Sequence, residues 1–395
     1  MAKETMIPIG PYHPLLEEPE FFKFYVEGEK IVDAEVRVGY NHRGVEKISE
    51  GKTFDQATFV VERICGICST SHPFAYVRAV EDISGIVLPE RAEYIRTIIG
   101  DLERIHSHLL WVGLAGHFIG YNTVFMWAWK YREPVLDMFE IISGNRNHYN
   151  MFKVGGVRRD IKETDVPGLL KAIDDVERFC GMLLKAVIDD PVIKARLKNV
   201  GILKKEDAIA MGVVGPVARA SGIPIDVRKD HPYAAYDRVN FERIVMDGGD
   251  VFNKAAIRLL ECIESTKIIR QCLKQMPAGP IDAAVREVGV GEGIGQHEAP
   301  RGECIHYVRS NGSNYPERHK IRAPSFMNVP SFKLTVIGES IADAALITAA
   351  VDPCYCCTER MAIVDWESDR VLLTGEEMVR LSQAKTEKLK QKCLY

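Results

Sequence analysis

The chain has 395 residues, enough for one large domain or for two to three ordinary ones. Hydrophobic residues make up 46% of the sequence and charged residues 27%, which is typical of a globular protein that buries a sizeable core. A net charge of −4 excludes the strongly basic footprint of a general nucleic-acid binder.

The start of the chain lacks the apolar core of a secretory signal, and no run of eighteen apolar residues occurs. The most apolar stretch, residues 109–129, is interrupted by His117, Asn122 and several glycines, which favours a buried helix over a membrane span. We therefore expect a cytoplasmic chain without a membrane span of its own. Any association with a membrane would come through partner subunits.

The N-terminal region predicts a β-hairpin. Residues 22–26 and 31–38 are rich in β-branched and aromatic residues, and Gly28 lies between them in a short turn. Residues 10–19, just before this hairpin, contain three prolines and predict an irregular loop.

Long amphipathic helices follow. Apolar residues recur at intervals of three and four between residues 90 and 111, which predicts a helix with one buried face. Residues 124–143, 166–197 and 250–275 predict further helices, the second of which is broken by Pro191. Together they predict a helix bundle as the core of the protein.

The composition changes after Pro277. Four glycines alternate with other residues between 289 and 295, which predicts a loose or bent backbone rather than a phosphate-binding loop, because the spacing does not match one. Residues 303–309 and 318–322 predict a hairpin. The short apolar run 344–351 leads into a cysteine pair, and the lysine-rich residues 383–392 predict an exposed helix end.

These elements predict a mainly α fold with small β additions, of class α+β. We divide the chain into an N-terminal hairpin and loop region (1–60), a helical bundle core (61–280), a β-containing region that ends in the second cysteine pair (281–360) and a C-terminal extension (361–395).

Two Cys-x-x-Cys pairs stand near opposite ends of the chain: Cys65 with Cys68, and Cys354 with Cys357. Because 286 positions separate Cys68 from Cys354, the pairs can share one site only if the whole chain folds around it. Thiolates are soft ligands, so the pattern predicts a buried metal centre with four sulfur donors. The simpler alternative is a structural zinc site, but such sites stabilise small folds, and a chain of this length needs no such metal.

The residues around these cysteines closely resemble the signatures of the large subunit of nickel–iron hydrogenases. Five stretches carry the resemblance: Arg43-Gly44-Val45-Glu46, Arg63-Ile64-Cys65-Gly66-Ile67-Cys68 with His72, Asp352-Pro353-Cys354-x-x-Cys357, Gly10-Pro11-x-His13-Pro14, and Ser107-His108-Leu109-Leu110-Trp111. The last two resemble the energy-converting, membrane-complex branch, which is related to the quinone-site subunit of respiratory complex I.

The resemblance implies a nickel–iron centre whose iron carries CO and CN ligands. Cys65 and Cys354 would be terminal nickel ligands, and Cys68 and Cys357 would bridge the two metals. His72 would form a hydrogen bond to a bridging sulfur; an ordinary buried histidine is the simpler interpretation.

The resemblance also assigns three charged residues. Arg301 would lie above the metals and orient substrate and the cyanide ligands, unless it is a surface arginine beside a turn. Glu17, in preference to Glu18, would accept the proton, unless both are solvated loop residues. Glu46 would help to bind an outer magnesium or iron ion.

The sequence departs from the family pattern at two positions. Arg360 stands where the outer metal usually has a histidine, and Ala350 stands where many relatives have a serine that hydrogen-bonds an iron ligand. In relatives a protease often trims the chain just after the position of Arg360; here the extension is either trimmed or retained.

The implied function is reversible heterolytic cleavage and formation of dihydrogen. Electrons would leave through a small subunit with an iron–sulfur cluster, with ferredoxin as the eventual redox partner, inside a larger complex on the cytoplasmic face of a membrane. The alternatives are a non-catalytic quinone-site or scaffold subunit of the complex I type, and a zinc-stabilised structural protein.

Overall fold

Long helices form the centre of the protein in a computed structural model that describes residues 5–13, 16, 18–285, 287–358, 363–365, 368 and 370–392. The helices are α1 (Val45–Glu50), α2 (Phe54–Glu62), α3 (Ser71–Ser84), α4 (Glu90–Phe118), α5 (Asn122–Ser143), α6 (Val166–Asp189), α7 (Pro191–Leu197), α8 (Lys205–Ala210), α9 (Gly215–Ala220), α10 (Val227–Asp230), α11 (Val251–Gln275), α12 (Pro324–Asn328), α13 (Phe332–Val336), α14 (Ala344–Ala350) and α15 (Gly375–Lys392). The strands are β1 (Thr5–Ile9), β2 (Phe21–Glu27), β3 (Lys30–Arg37), β4 (Phe152–Lys153), β5 (Gly156–Val157), β6 (Val290–Ala299), β7 (Gly302–Asn311), β8 (Pro316–Arg322), β9 (Ile363–Val364) and β10 (Val371–Leu373). The α+β class predicted from the sequence is confirmed.

The four predicted long helices are present as α4, α5, α6 with α7, and α11. Helix α4 packs against α5 and α11, and α11 packs against α6. The break at Pro191 is confirmed: Asp190 accepts hydrogen bonds from the N–H groups of Val192 and Ile193 and so caps α7. Helix α4 continues beyond its predicted end, and in this part Gly113 and Gly116 let it lie close to α5; a Cβ on Gly116 would lie 3.1 Å from the Cβ of Val124.

The predicted N-terminal hairpin is formed by β2 and β3, and β1 adds a third antiparallel strand that the sequence did not predict. The rings of Phe22 and Phe24 are buried on one face of this sheet. Phe22 packs edge-on against Phe332 and Tyr355, which places the sheet next to the second cysteine pair.

The loose backbone predicted around the alternating glycines is wrong for Gly291, Gly293 and Gly295, because these three residues lie in β6, which begins just after Gly289. This strand pairs with β7 from Val290 opposite Asn311 to Ala299 opposite Gly302. A Cβ on Gly293 would lie 2.0 Å from the carbonyl oxygen of Ala79, and one on Gly295 would lie 1.8 Å from that of Ala75. The glycines therefore let α3 lie directly on the strand.

Other C-terminal predictions are confirmed. Strands β7 and β8 form the predicted hairpin, residues 344–350 form α14, and residues 383–391 are exposed on α15. The sequence analysis missed helices α1 to α3, although Thr53 and Gln56 form a capping box at the start of α2. The four segment boundaries stay a prediction. Within the described part of the chain, none of the helices is long and apolar enough to cross a bilayer.

Candidate metal centre

Two loops bring the cysteine pairs to one buried point, as the sequence predicts. Cys65 and Cys68 lie between α2 and α3, and Cys354 and Cys357 follow α14. The Sγ atom of Cys354 lies 3.2 Å from that of Cys65 and 3.0 Å from that of Cys357. Cys68 belongs to the same buried cluster. Each cysteine that the structure describes is a free thiol.

Backbone and thiol hydrogen bonds converge on the sulfur of Cys65. The N–H groups of Ile67 and Cys68 donate to it at 3.3 and 3.2 Å. Hydrogen bonds from the thiols of Cys354 and Cys357 hold the pKa of Cys65 well below its usual range. Cys65 is therefore the cysteine of this cluster whose sulfur is stabilised as a thiolate, the form that binds metals, whereas the pKa values of Cys68, Cys354 and Cys357 are raised.

The donor set fits a soft transition metal. Three of the sulfurs, those of Cys65, Cys354 and Cys357, lie within 4.8 Å of one another, with Cys65 and Cys354 buried and Cys357 half-buried. A thiolate has lone pairs for two metals, so four thiolates can hold a pair of metals as well as a single one. The residues present thus fit the nickel–iron group that the sequence implies.

Arg301 is buried beside the first cysteine pair, with only 2% of its surface exposed, so the interpretation as a surface arginine is wrong. Its Nη1 atom donates to Cys68 Sγ at 3.3 Å and to Ser107 Oγ at 2.9 Å. Its Nε atom donates to the carbonyl oxygen of Asp352 at 2.9 Å, and Nη2 pairs with Asp352 Oδ1 at 2.6 Å. The guanidinium is held at four points, so its direction is fixed.

Asp352 turns the chain into the second cysteine pair. It has a φ of 53°, a left-handed conformation that non-glycine residues rarely adopt. The ion pair with Arg301 and the approach of Arg258 Nε to within 3.6 Å of Asp352 Oδ2 hold the carboxylate in place. Two arginines from different elements thus fix this turn.

A carboxylate anchors the start of α3, the helix that follows the first cysteine pair. Glu103 on α4 accepts a hydrogen bond from the N–H of Ser71 at 3.0 Å. A negative group is favourable at this end of a helix. Burial raises the pKa of Glu103 to about 7. This contact ties the loop of Cys65 and Cys68 to the longest helix of the bundle.

Glu18 places a second carboxylate beside the second cysteine pair. Its Oε1 atom lies 4.0 Å from Cys354 Sγ, and Oε2 accepts a hydrogen bond from the N–H of Cys356 at 2.7 Å. Burial raises the pKa of Glu18 above its usual value. Glu17 lies outside the described residues, so its predicted role stays a prediction.

His72 and Glu46 occupy different surroundings. His72 is buried with its Nε2 atom 3.4 Å from Cys357 Sγ, and burial lowers its pKa to about 4. The carboxylate of Glu46 accepts hydrogen bonds from Lys320 Nζ at 2.8 Å and from the N–H of Ile321 at 3.0 Å. Arg360 lies outside the described residues, and the outer metal stays a prediction.

The sequence analysis missed three residues that surround the site. Asp352 and Ser107 hold Arg301, and His306 lies 3.0 Å from the ring of His72. Asp352 and Ser107 lay within the recognised motifs but were given no role. The only sequence signal for His306 is its position: it is a polar residue at one of the alternating positions of β7 that face the protein interior.

Two family models match this chain. The model described as the 49 kDa subunit of respiratory-chain NADH dehydrogenase matches residues 119–290 and 285–360. The model described as nickel-dependent hydrogenase matches residues 43–113, which include the first cysteine pair.

Both hydrogenase subunits and NADH-quinone oxidoreductase subunits are similar to this chain over most of their own length. A membrane-bound hydrogenase alpha subunit from Pyrococcus furiosus is 43% identical over 97% of this chain and 93% of its own length. A subunit of the NADH-quinone oxidoreductase from Clostridium beijerinckii is 37% identical over 89% of this chain and 96% of its own. A solved chain from the membrane-bound sulfane sulfur reductase, an archaeal respiratory membrane complex, superposes with a TM-score of 0.86 at 28% identity, over 90% of this chain and 98% of its own.

Proposed function

This chain belongs to the family of nickel-dependent hydrogenase large subunits and respiratory-chain 49 kDa subunits, and we propose that it is the catalytic large subunit of an energy-converting nickel–iron hydrogenase. The proposed reaction is the reversible heterolytic cleavage and formation of dihydrogen. The observation that carries the proposal is the meeting of both cysteine pairs in one buried cluster.

In this proposal the four cysteines would hold the nickel–iron group, with Cys65 and Cys354 as ligands of nickel alone and Cys68 and Cys357 as ligands shared with an iron that would carry CO and CN. When bound, such a centre supplies a soft, redox-active metal pair at which dihydrogen is activated. The buried thiols support this assignment because they provide soft donors and the Cys65 sulfur is stabilised as a thiolate.

The charged residues of the site provide orientation and proton transfer. Arg301 directs fixed N–H groups at the face of the site that contains Cys68 Sγ, where they can orient substrate and the cyanide ligands. A proton on the Cys354 sulfur has the Glu18 carboxylate 4.0 Å away. Burial raises the pKa of Glu18 above its usual value, which is the direction expected of a carboxylate that accepts a proton. Glu17 is the sequence-based alternative.

Electrons must leave through a partner in this proposal. In the described part of the chain, the two groups of potential metal ligands both lie at or beside the cysteine cluster, so a second redox centre for electron exit is lacking there. We therefore expect a small subunit with an iron–sulfur cluster, further subunits of a membrane complex, and ferredoxin as the eventual redox partner. The names of the hydrogenase relative and of the solved complex support a membrane-associated assembly.

A second candidate is a non-catalytic quinone-site subunit of the complex I type. The 49 kDa family model and the NADH-quinone oxidoreductase relative support it. A small apolar cavity lies next to the second cysteine pair and is lined by Leu16, Phe118, Pro353 and Tyr355 among others. The four cysteines at metal-ligand positions favour the hydrogenase.

Isotope exchange separates the candidates. The purified complex is incubated with deuterium gas in ordinary water, and HD formation is followed by mass spectrometry. The hydrogenase predicts HD formation that needs no added electron acceptor. A quinone-site subunit, or a zinc-stabilised protein, predicts none, and that result would remove the proposed reaction.

A further inference from the structure

A chain of buried side chains leads from Cys357 to the helix α1. Its links are His72 Nε2 to Cys357 Sγ at 3.4 Å, His72 Nδ1 to His306 Nε2 at 3.0 Å, His306 Nδ1 to His319 Nε2 at 2.9 Å, and His319 Nδ1 to Ser49 Oγ at 2.6 Å. The four residues His72, His306, His319 and Ser49 are at most 1% exposed. We call this set the histidine chain.

The members of the histidine chain come from four separate elements. His72 lies in the first turn of α3, and Ser49 lies on α1. His306 on β7 and His319 on β8 share one face of the sheet, because His319 pairs with Val308, two residues beyond His306. Four separate elements are therefore positioned so that every ring nitrogen of the chain meets a partner.

The number of donors and acceptors on each ring fixes the direction in which the hydrogen bonds of the histidine chain run. A neutral imidazole has one N–H donor and one acceptor nitrogen, so all the links must run the same way. A sulfur that binds metal as a thiolate can only accept. His72 then donates from Nε2 to Cys357 and accepts at Nδ1 from His306, which in turn accepts from His319.

Ser49 can complete the chain in this direction. Its hydroxyl donates to His319 Nδ1 at 2.6 Å, or alternatively to the carbonyl oxygen of Glu46 at 2.8 Å. Burial lowers the pKa of His319 to about 3 and keeps that of His306 well below its usual range, so both rings are neutral at physiological pH. All the hydrogen bonds of the histidine chain can therefore form without a buried charge on any of its rings.

We infer that His306 and His319 are positioning residues that, with Ser49, hold the proton of His72 on Nε2 and direct it at the Cys357 sulfur. We call this arrangement of hydrogen bonds the relay. This inference rests on the proposed function, since it takes Cys357 as a bridging ligand. Donating to a ligand sulfur withdraws electron density from it and so tunes the metals. Each link polarises the next, so a change at His319 is felt at Cys357 through two rings.

The rival interpretation is a second metal site. The ligand atoms of His72, Cys304 and His306 lie within 4.8 Å of one another, and Cys304 Sγ is 3.6 Å from His72 Nδ1. A zinc ion bound there would take the lone pairs of His72 Nδ1 and His306 Nε2, so no proton could lie between these atoms. The relay and the zinc site therefore exclude one another.

Two variants of His319 test the relay without touching the metal ligands. In His319→Gln the amide can still donate to His306 Nδ1, whereas in His319→Ala that donor is lost. Val308→Ala is the matched control, because Val308 is also fully buried and lies opposite His319. The readout is the set of infrared stretching bands of the CO and CN ligands in the purified holoenzyme, together with its nickel and iron content.

We expect shifted infrared bands in His319→Ala with unchanged metal content, and wild-type bands in His319→Gln and Val308→Ala. His306→Ala, one link closer, should lower dihydrogen turnover about 10-fold. Unshifted bands in His319→Ala, or an equal shift in Val308→Ala, would overturn the relay. So would one zinc per wild-type chain that is lost in Cys304→Ser.

A metal-free readout separates this inference from the proposed function. Nitrogen-15 spectra of histidine-labelled, full-length chain report which ring nitrogen of His72 carries the proton. The relay predicts that His319→Ala changes the His72 signals and that Val308→Ala does not. If the chain binds no nickel, the proposed function fails while this result still decides the relay: unchanged His72 signals in His319→Ala contradict it.

Discussion

Arg301 Nη2 lies 2.6 Å from Asp352 Oδ1, and the same guanidinium donates to Cys68 Sγ at 3.3 Å. One side chain therefore joins the residue that leads into the second cysteine pair to a sulfur of the first. This contact holds the two pairs relative to one another.

Arg301→Lys should lower dihydrogen turnover by about 100-fold while nickel content stays close to wild type. Lysine keeps the positive charge near Asp352 but cannot donate in several fixed directions at once. Turnover and nickel content are measured on the same preparation. Arg309→Lys is the control, because Arg309 pairs with Glu317 at 2.9 Å on the surface of β7. Wild-type turnover in Arg301→Lys would contradict the role of the guanidinium.

Cys354→Ser should lose nickel and dihydrogen activity but remain folded. A hard hydroxyl replaces a soft terminal ligand, whereas the helical core does not depend on the metal. Cys356→Ser is the neighbouring control, since Cys356 lies between the two predicted ligands and should keep both nickel and activity. The comparison uses elemental analysis, activity and circular dichroism. Full nickel content in Cys354→Ser would show that the ligand assignment is mistaken.

The sequence predicts the parts of this site that depend on residue type and spacing. Cys65, Cys68, Cys354 and Cys357 were found because thiol pairs with metal-ligand spacing have few other uses. The meeting of the two pairs follows from the same argument, since one metal centre needs both.

Other features depend on tertiary packing, which local pattern does not encode. Gly293 and Gly295 suggested a loose loop, because the sequence does not show that α3 crosses the strand there. His306 and His319 were missed because a histidine on a strand has no signature until its neighbours on the adjacent strand are known. The third strand, β1, was missed for the same reason.

Glu18→Gln should slow HD exchange by at least about 100-fold with nickel retained, because glutamine keeps the hydrogen bond from Cys356 but cannot carry a proton. Glu17→Gln is the matched neighbour. The two variants are compared by exchange rate and metal content under the same conditions. If Glu17→Gln shows the larger loss, the proton carrier is Glu17, as the sequence resemblance implies.

Lys254→Met should make the free energy of unfolding less dependent on pH. Lys254 is fully buried on α11, its Nζ donates to the Gly201 carbonyl at 3.0 Å, and burial lowers its pKa from 10.5 to about 7. The unfolded chain therefore binds this proton more tightly. The buried charge of Lys254 lowers the free energy of unfolding of the wild type most below pH 7. This loss of stability becomes smaller by about 1.4 kcal/mol per pH unit as the pH rises towards 10.5.

Denaturant unfolding between pH 7 and pH 10 checks this difference. At pH 7 the variant should be more stable than the wild type, and the gap should close with rising pH. The control is Lys274→Met, which changes an exposed lysine of the same helix. A gap that does not vary with pH would show that Lys254 is already charged in the folded protein.

Elemental analysis of this wild-type chain, after its separation from partner subunits that carry iron–sulfur clusters, tests the central claim most directly. The chain should contain one nickel and at least one iron per polypeptide, and both metals should be lost together in Cys354→Ser. A chain that contains zinc instead, or that lacks nickel when purified from cells that synthesise the metal centre, would contradict the assignment as a nickel–iron hydrogenase.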